Sequence, residues 1–228
     1  MRLIGGAFAL LVAFSSQSKA DVVVSLDPGA NWQGFMNVFE LDRTGPLPAR
    51  GNFVFGSGWG FGDLTAQFDP QGTLTLGVNT IGDPDPFWYI GGGAPGALGN
   101  KWMDANAFVQ NSDNPSFSGV NVTFTGVVLE NSFLANHTAR AFIRDFAPDF
   151  GTFNESTVIL TPGVFNISLA TLAGSGRHVQ YGFNVAGENV WVTDAPGFGV
   201  ARVSAIPEPS SLTLLGLSAF GLVGRRRR

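Results

Sequence analysis

Val120-Asn121-Val122-Thr123-Phe124-Thr125 alternates apolar and polar side chains without a break. A period of two puts Val120, Val122 and Phe124 on one face of an extended strand and Asn121, Thr123 and Thr125 on the other, so one face suits a core and the other suits water. The same alternation recurs at 74–78, where Leu74, Leu76 and Val78 oppose Thr75 and Gly77, and at 165–169, where Phe165, Ile167 and Leu169 oppose Asn166 and Ser168. Further strands are expected at 33–41, 52–55, 64–68, 106–110, 138–146, 157–160, 179–185, 189–193 and 199–204. Between the two chain ends, no stretch carries the 3.6-residue period of an amphipathic helix. Roughly a dozen short strands separated by turn residues predict an all-β fold, an antiparallel β-sandwich of the jelly-roll kind, with a closed barrel as the alternative.

Composition agrees with this reading. The chain has 31 glycines for turns, 21 phenylalanines for a core and no cysteine. Thiol chemistry, cysteine-zinc sites and a disulfide framework are therefore excluded, and stability must come from packing. No internal repeat or linker divides the body.

The two ends read differently from the body. Met1-Arg2, an apolar run at 3–14 and the polar stretch Ser15-Ser16-Gln17-Ser18-Lys19-Ala20 form the pattern of a signal peptide, with cleavage after Ala20. At the other end, Pro207-Glu208-Pro209 precedes an uncharged segment at 212–224 and then Arg225, Arg226, Arg227 and Arg228. As a helix, 13 residues would span roughly 20 Å, short of a hydrocarbon core of about 30 Å. The arginine block would stay on the cytoplasmic side, leaving the body outside. Pro207 and Pro209 keep their triplet extended and accessible.

This tail resembles the PEP-CTERM protein-sorting tail of bacterial envelope proteins. The resemblance implies export by the Sec machinery, transient anchorage at the inner membrane, recognition by an exosortase, and a final location at the cell surface or outside the cell. The expected organisation is a signal peptide at 1–20, a sandwich domain at 21–204, and a sorting tail with a short hydrophobic helix at 205–228.

Removing both ends changes the electrostatics. Residues 21–206 hold 16 acidic and 7 basic side chains, a net charge near −9 against −4 for the whole chain. Such a surface argues against nucleic acid or anionic lipid as a partner.

Catalytic motifs are scarce. His137 and His178 are the only histidines, and neither sits in a metalloprotease or nucleophile-elbow pattern. His137, within Asn136-His137-Thr138, reads as a surface turn residue. Two carboxylates suffice for glycoside chemistry, and Glu130 and Glu155 are the pair to examine. Gly56-Ser57-Gly58-Trp59-Gly60-Phe61-Gly62 lacks the Gly-Lys-Ser/Thr ending of a phosphate-binding loop and reads as a bulged strand or tight hairpin. Trp32 and Trp191 alternate as packing residues.

The long irregular stretch 79–100 is the expected binding region. Trp88, Tyr89 and Trp102 offer rings on which sugars stack, and Asp83, Asp85 and Asn106 offer hydrogen bonds to hydroxyls. The alternative is that these rings close one end of the core. The same acids make a structural calcium ion a further expectation, although Asp83-x-Asp85 does not continue into an EF-hand loop. The body is similar to the galactose-binding-like and carbohydrate-binding-module-like sandwiches that precede such tails. That similarity implies a non-enzymatic protein binding extracellular polysaccharide; the other readings are a purely structural or adhesive matrix protein and a carboxylate-dependent glycoside-active enzyme.

Overall fold

The structure, a computed structural model, describes residues 19–206. The expected sorting tail from Pro207 onward, with its hydrophobic helix, lies outside the described residues, as does the signal segment up to Ser18. Fourteen strands form among the described residues: β1 (Val22–Ser25), β2 (Trp32–Asp42), β3 (Ala49–Trp59), β4 (Ala66–Phe68), β5 (Leu74–Gly77), β6 (Thr80–Ile81) and β7 (Lys101–Ser112) in the first half. The second half supplies β8 (Asn121–Asn131), β9 (His137–Phe146), β10 (Phe153–Ile159), β11 (Gly163–Ala170), β12 (His178–Glu188), β13 (Val190–Trp191) and β14 (Val200–Ser204). Helical structure among the described residues is confined to short 3₁₀ turns such as Phe61–Leu64.

Strands β6 and β13 pair in parallel as a separate two-stranded sheet, and the other twelve make two six-stranded sheets. One runs β4-β5-β14-β8-β11, with β1 lying parallel to β8; the other runs β3-β2-β7-β12-β9-β10, antiparallel throughout. Eight of these strands follow jelly-roll order. The set β5-β14-β8-β11 faces β7-β12-β9-β10, and the chain crosses between sheets at every step except the β9–β10 hairpin. The β2–β3 hairpin widens the second sheet beyond β7. An antiparallel sandwich thus replaces the closed-barrel alternative.

The opening stretch does what its period requires. Val122 and Phe124 are fully buried, whereas Thr123 and Thr125 face outward, where the Thr123 and Ser168 hydroxyls meet at 2.8 Å across β8 and β11. Phe124 packs on Phe165 of its own sheet at 5.2 Å between ring centroids and on Tyr181 and Phe183 of the other at 5.3 Å each. Trp32 lies nearly parallel to Phe183 on the far side, at 6.2 Å. This aromatic layer is the centre of the core.

Two local expectations change. The glycine-rich run continues β3 in regular register with β2 as far as Trp59, and the register shifts fall instead around Phe39. His137 is not a surface turn residue: it begins β9, is buried, and its ring nitrogen Nε2 lies 3.0 Å from the Glu188 carbonyl.

Burial pushes the His137 imidazole below its ordinary pKa, against the opposing pull of the Glu188 carbonyl and the Glu188 charge. A histidine with a depressed folded-state pKa binds its proton more readily when unfolded. Its contribution is complete above about pH 6.5 and declines as pH falls toward the folded value, by at most about 1.4 kcal/mol per pH unit. Urea denaturation at pH 7.5 and 5.5 should show that decline, and His137→Gln should remove it; an equal decline in the variant would exclude His137 as its source.

Candidate binding groove

Strand alternation builds a polar and aromatic face on the outside of the second sheet. On β7, Met103, Ala105 and Ala107 enter the core, so Asp104, Asn106, Phe108 and Gln110 point away from it. On β12, Tyr181, Phe183 and Val185 point inward and Gln180 and Asn184 outward. β2 contributes Phe35, Asn37 and Phe39, β9 contributes Arg140, Phe142 and Arg144, and β10 contributes Phe153, Glu155 and Thr157. Together they line a groove of about 810 Å³, within the size range of small-molecule sites.

The floor of this groove is a connected hydrogen-bond network. Asp104 Oδ1 accepts from the Asn106 amide at 2.9 Å and the Asn184 amide at 2.6 Å. Asn106 Oδ1 in turn accepts from Arg144 Nη1 at 2.8 Å, and Arg144 Nε donates to Glu155 at 2.6 Å. Gln180 donates to Gln110 at 2.7 Å as a separate pair. The Arg144 guanidinium also lies 4.0 Å above the Phe142 ring, which it helps shield from water. Asn106 is only 2 % exposed and Asn184 5 %, so both amides are held rigidly by their partners. Phe35, at 38 %, and Phe153, at 51 %, offer open ring faces at the margins.

The structure disperses the residues expected to bind together. Asn106 lies in the groove floor, and Trp102 lies half-buried on the same outward face of β7, next to Phe39 in register. Tyr89 is 0 % exposed and presents no ring face to a ligand; its hydroxyl donates to the Ile81 carbonyl at 2.6 Å and its ring meets Trp191 at 5.3 Å. Trp88 packs partly buried between Phe87 and Phe55. Asp83 and Asp85 are exposed, but each carboxylate accepts a backbone N–H two residues on, from Asp85 and Phe87 respectively, and so shapes the turn. The loop 79–100 therefore closes the sandwich end, and its side chains do not line the groove.

Two other expectations also meet their geometry. Glu130 lies on β8 of the first sheet and Glu155 on β10 of the second, so they do not face one another across a cleft. For the calcium expectation, no group of three or more His, Asp or Glu side chains gathers among the described residues.

The groove is not legible locally because its members come from six strands and each occupies an ordinary outward position. A usable signal was present nonetheless: Phe35, Phe39 and Phe142 fall on the outward phase of their strands, where water-facing Ser or Thr would be usual.

The tail adds where the protein goes. Residues 205–228 match the PEP-CTERM protein-sorting motif. This match supports an exported chain that an exosortase processes at the membrane. It covers the tail alone, and no curated protein or solved structure matches the chain. No helix among the described residues is long and apolar enough to cross a membrane. The apolar part of the sorting motif lies beyond those residues.

Proposed function

We propose that the body is a non-enzymatic polysaccharide-binding domain that acts at the cell surface or in the extracellular matrix after the sorting motif has anchored it transiently and been processed. The observation that carries this reading is the groove, in which a fixed network of amides, carboxylates and guanidinium is bordered by exposed phenylalanine rings. A sugar presents hydroxyls around its rim and C–H groups on its faces. Amide and carboxylate groups match the first, and Phe35 and Phe153 match the second. Because the floor is already held by its own hydrogen bonds, little side-chain ordering remains to oppose binding.

Catalysis fits the same groove less well. Its two carboxylates both serve as acceptors, Asp104 to two amides and Glu155 to Arg144. Glycoside hydrolysis needs one carboxyl group placed as a proton donor to the leaving oxygen.

Gly58 provides a clean test. It borders the groove opposite Phe35, and a Cβ built there meets nothing within 4 Å. Gly58→Phe should therefore fill the groove while changing stability by no more than about 0.5 kcal/mol. On a polysaccharide array the wild-type protein should bind at least one glycan, and the variant should bind it about tenfold or more weakly. Equal binding by the two proteins would remove the groove from the reading, and no binding by the wild type would remove the reading itself.

A further inference from the structure

Residues 21–206 contain seven basic side chains. Five of them have a carboxylate partner: Arg43 with Glu188, Lys101 with Glu40, Arg144 with Glu155, Arg177 with Asp145, and Arg202 with Asp69. The other two, Arg50 and Arg140, have no ion-pair partner among the described residues, and both line the groove. On a body with a net charge near −9, the unpaired positive charge is thus concentrated on one side of one sheet.

From this distribution we infer that the guest of the groove is an acidic polysaccharide whose sugars carry carboxylates, held by Arg50 and Arg140. This rests on the polysaccharide-binding reading above and narrows it to one chemical class. A guanidinium presents a planar fork of donors that matches a carboxylate, and both side chains are exposed and available for such a pair. The Arg50 guanidinium is placed 4.9 Å over the Phe39 ring, at the groove wall. Arg140 stands beside Asn184 in register, next to the amide network. The strands bearing them, β3 and β9, are separated by β2, β7 and β12, about 19 Å across the sheet at roughly 4.8 Å per strand step, and in register Arg50 lies beside Leu41 of β2 whereas Arg140 lies level with Phe35, about 20 Å farther along the strand. One small anion cannot engage both. A chain of sugars with repeated carboxylates can.

The charge balance also makes the specificity informative. A strongly acidic protein repels a polyanion in general, so attraction must arise from the local site and not from the overall field.

The test compares polygalacturonate with fully methyl-esterified polygalacturonate, which keeps the sugar backbone and removes the charge. Binding of the protein to each is measured by affinity electrophoresis and calorimetry at two salt concentrations. The expected result is preference for the charged polymer by about tenfold or more, weakened by salt. Arg50→Gln and Arg140→Gln should each reduce that preference severalfold, and the double variant should abolish it. Arg202→Gln, which removes the same charge from the opposite sheet, should leave it unchanged. If both polymers bind equally, or if Arg202→Gln acts as strongly as Arg140→Gln, the acidic guest is wrong while polysaccharide binding stands. If neither polymer binds and the array also shows no ligand, both readings fail together.

Discussion

Phe124→Ala is expected to destabilise the protein by about 3–5 kcal/mol, lowering its melting temperature by roughly 6–20 °C. The ring is 0 % exposed and touches three other aromatic rings, Phe165 on its own sheet and Tyr181 and Phe183 on the facing one. Truncation removes the transfer energy of a large side chain and leaves a void that rigid neighbours on two sheets cannot close. With no cysteine in the chain, no disulfide limits the consequences. Thr123→Ala is the matched control: it alters the next residue on the same strand, whose hydroxyl meets Ser168 on the outer face, and should cost no more than about 1 kcal/mol. Thermal and urea denaturation of the two variants would decide the matter. Similar losses from both would mean that the alternation at 120–125 does not separate core from surface.

That alternation carried most of the architecture because a half-buried strand must repeat every second residue. Where the rule is broken, the sequence alone does not mark the strand. β1 begins Val22-Val23-Val24, with no polar alternate to mark a face, and it pairs in parallel with β8 across a long sequence separation. β7 starts at Lys101, five residues before the expected 106, because its first turn of the pattern is inverted: Lys101 is buried against Glu40 while Trp102 faces outward. Local propensity cannot foresee either arrangement, since both depend on partners far along the chain.

The groove was less legible for a related reason. Loop 79–100 concentrates Trp, Tyr and Asp within a short stretch, but proximity in sequence there serves closure of the sandwich end, with Tyr89 tied to Ile81 and the two aspartates to their own turns. Asn106 belongs to a site for another reason: it is the outward residue in the middle of β7, where Asp104, Asn184 and Arg144 reach it from three strands. Which outward positions share a surface is settled by strand order, and the order of a jelly roll interleaves distant segments.

The same long-range order makes Asp145 a second sensitive point. On β9 it follows Ala139, Ala141 and Ile143 on the inward phase, yet it is a carboxylate with 0 % exposure. Its two oxygens are both engaged: Oδ1 accepts from Arg177 Nε at 2.8 Å and Oδ2 from the Leu172 backbone N–H at 2.7 Å. Those partners lie just after β11 and just before β12, so one side chain holds both ends of a crossover between the sheets. Asp145→Ala leaves a largely buried guanidinium and a backbone N–H without their acceptors, at an expected cost of about 3–5 kcal/mol. A buried pair is often replaceable by apolar residues as a unit even when it cannot be broken singly, so Asp145→Leu combined with Arg177→Met should recover a substantial part of that loss. Urea denaturation of the single and double variants measures the coupling, and hydrogen exchange across 171–177 should report faster opening in Asp145→Ala alone. Additive losses, with no recovery in the double variant, would show that the carboxylate supports the crossover through Leu172 and not through its ion pair.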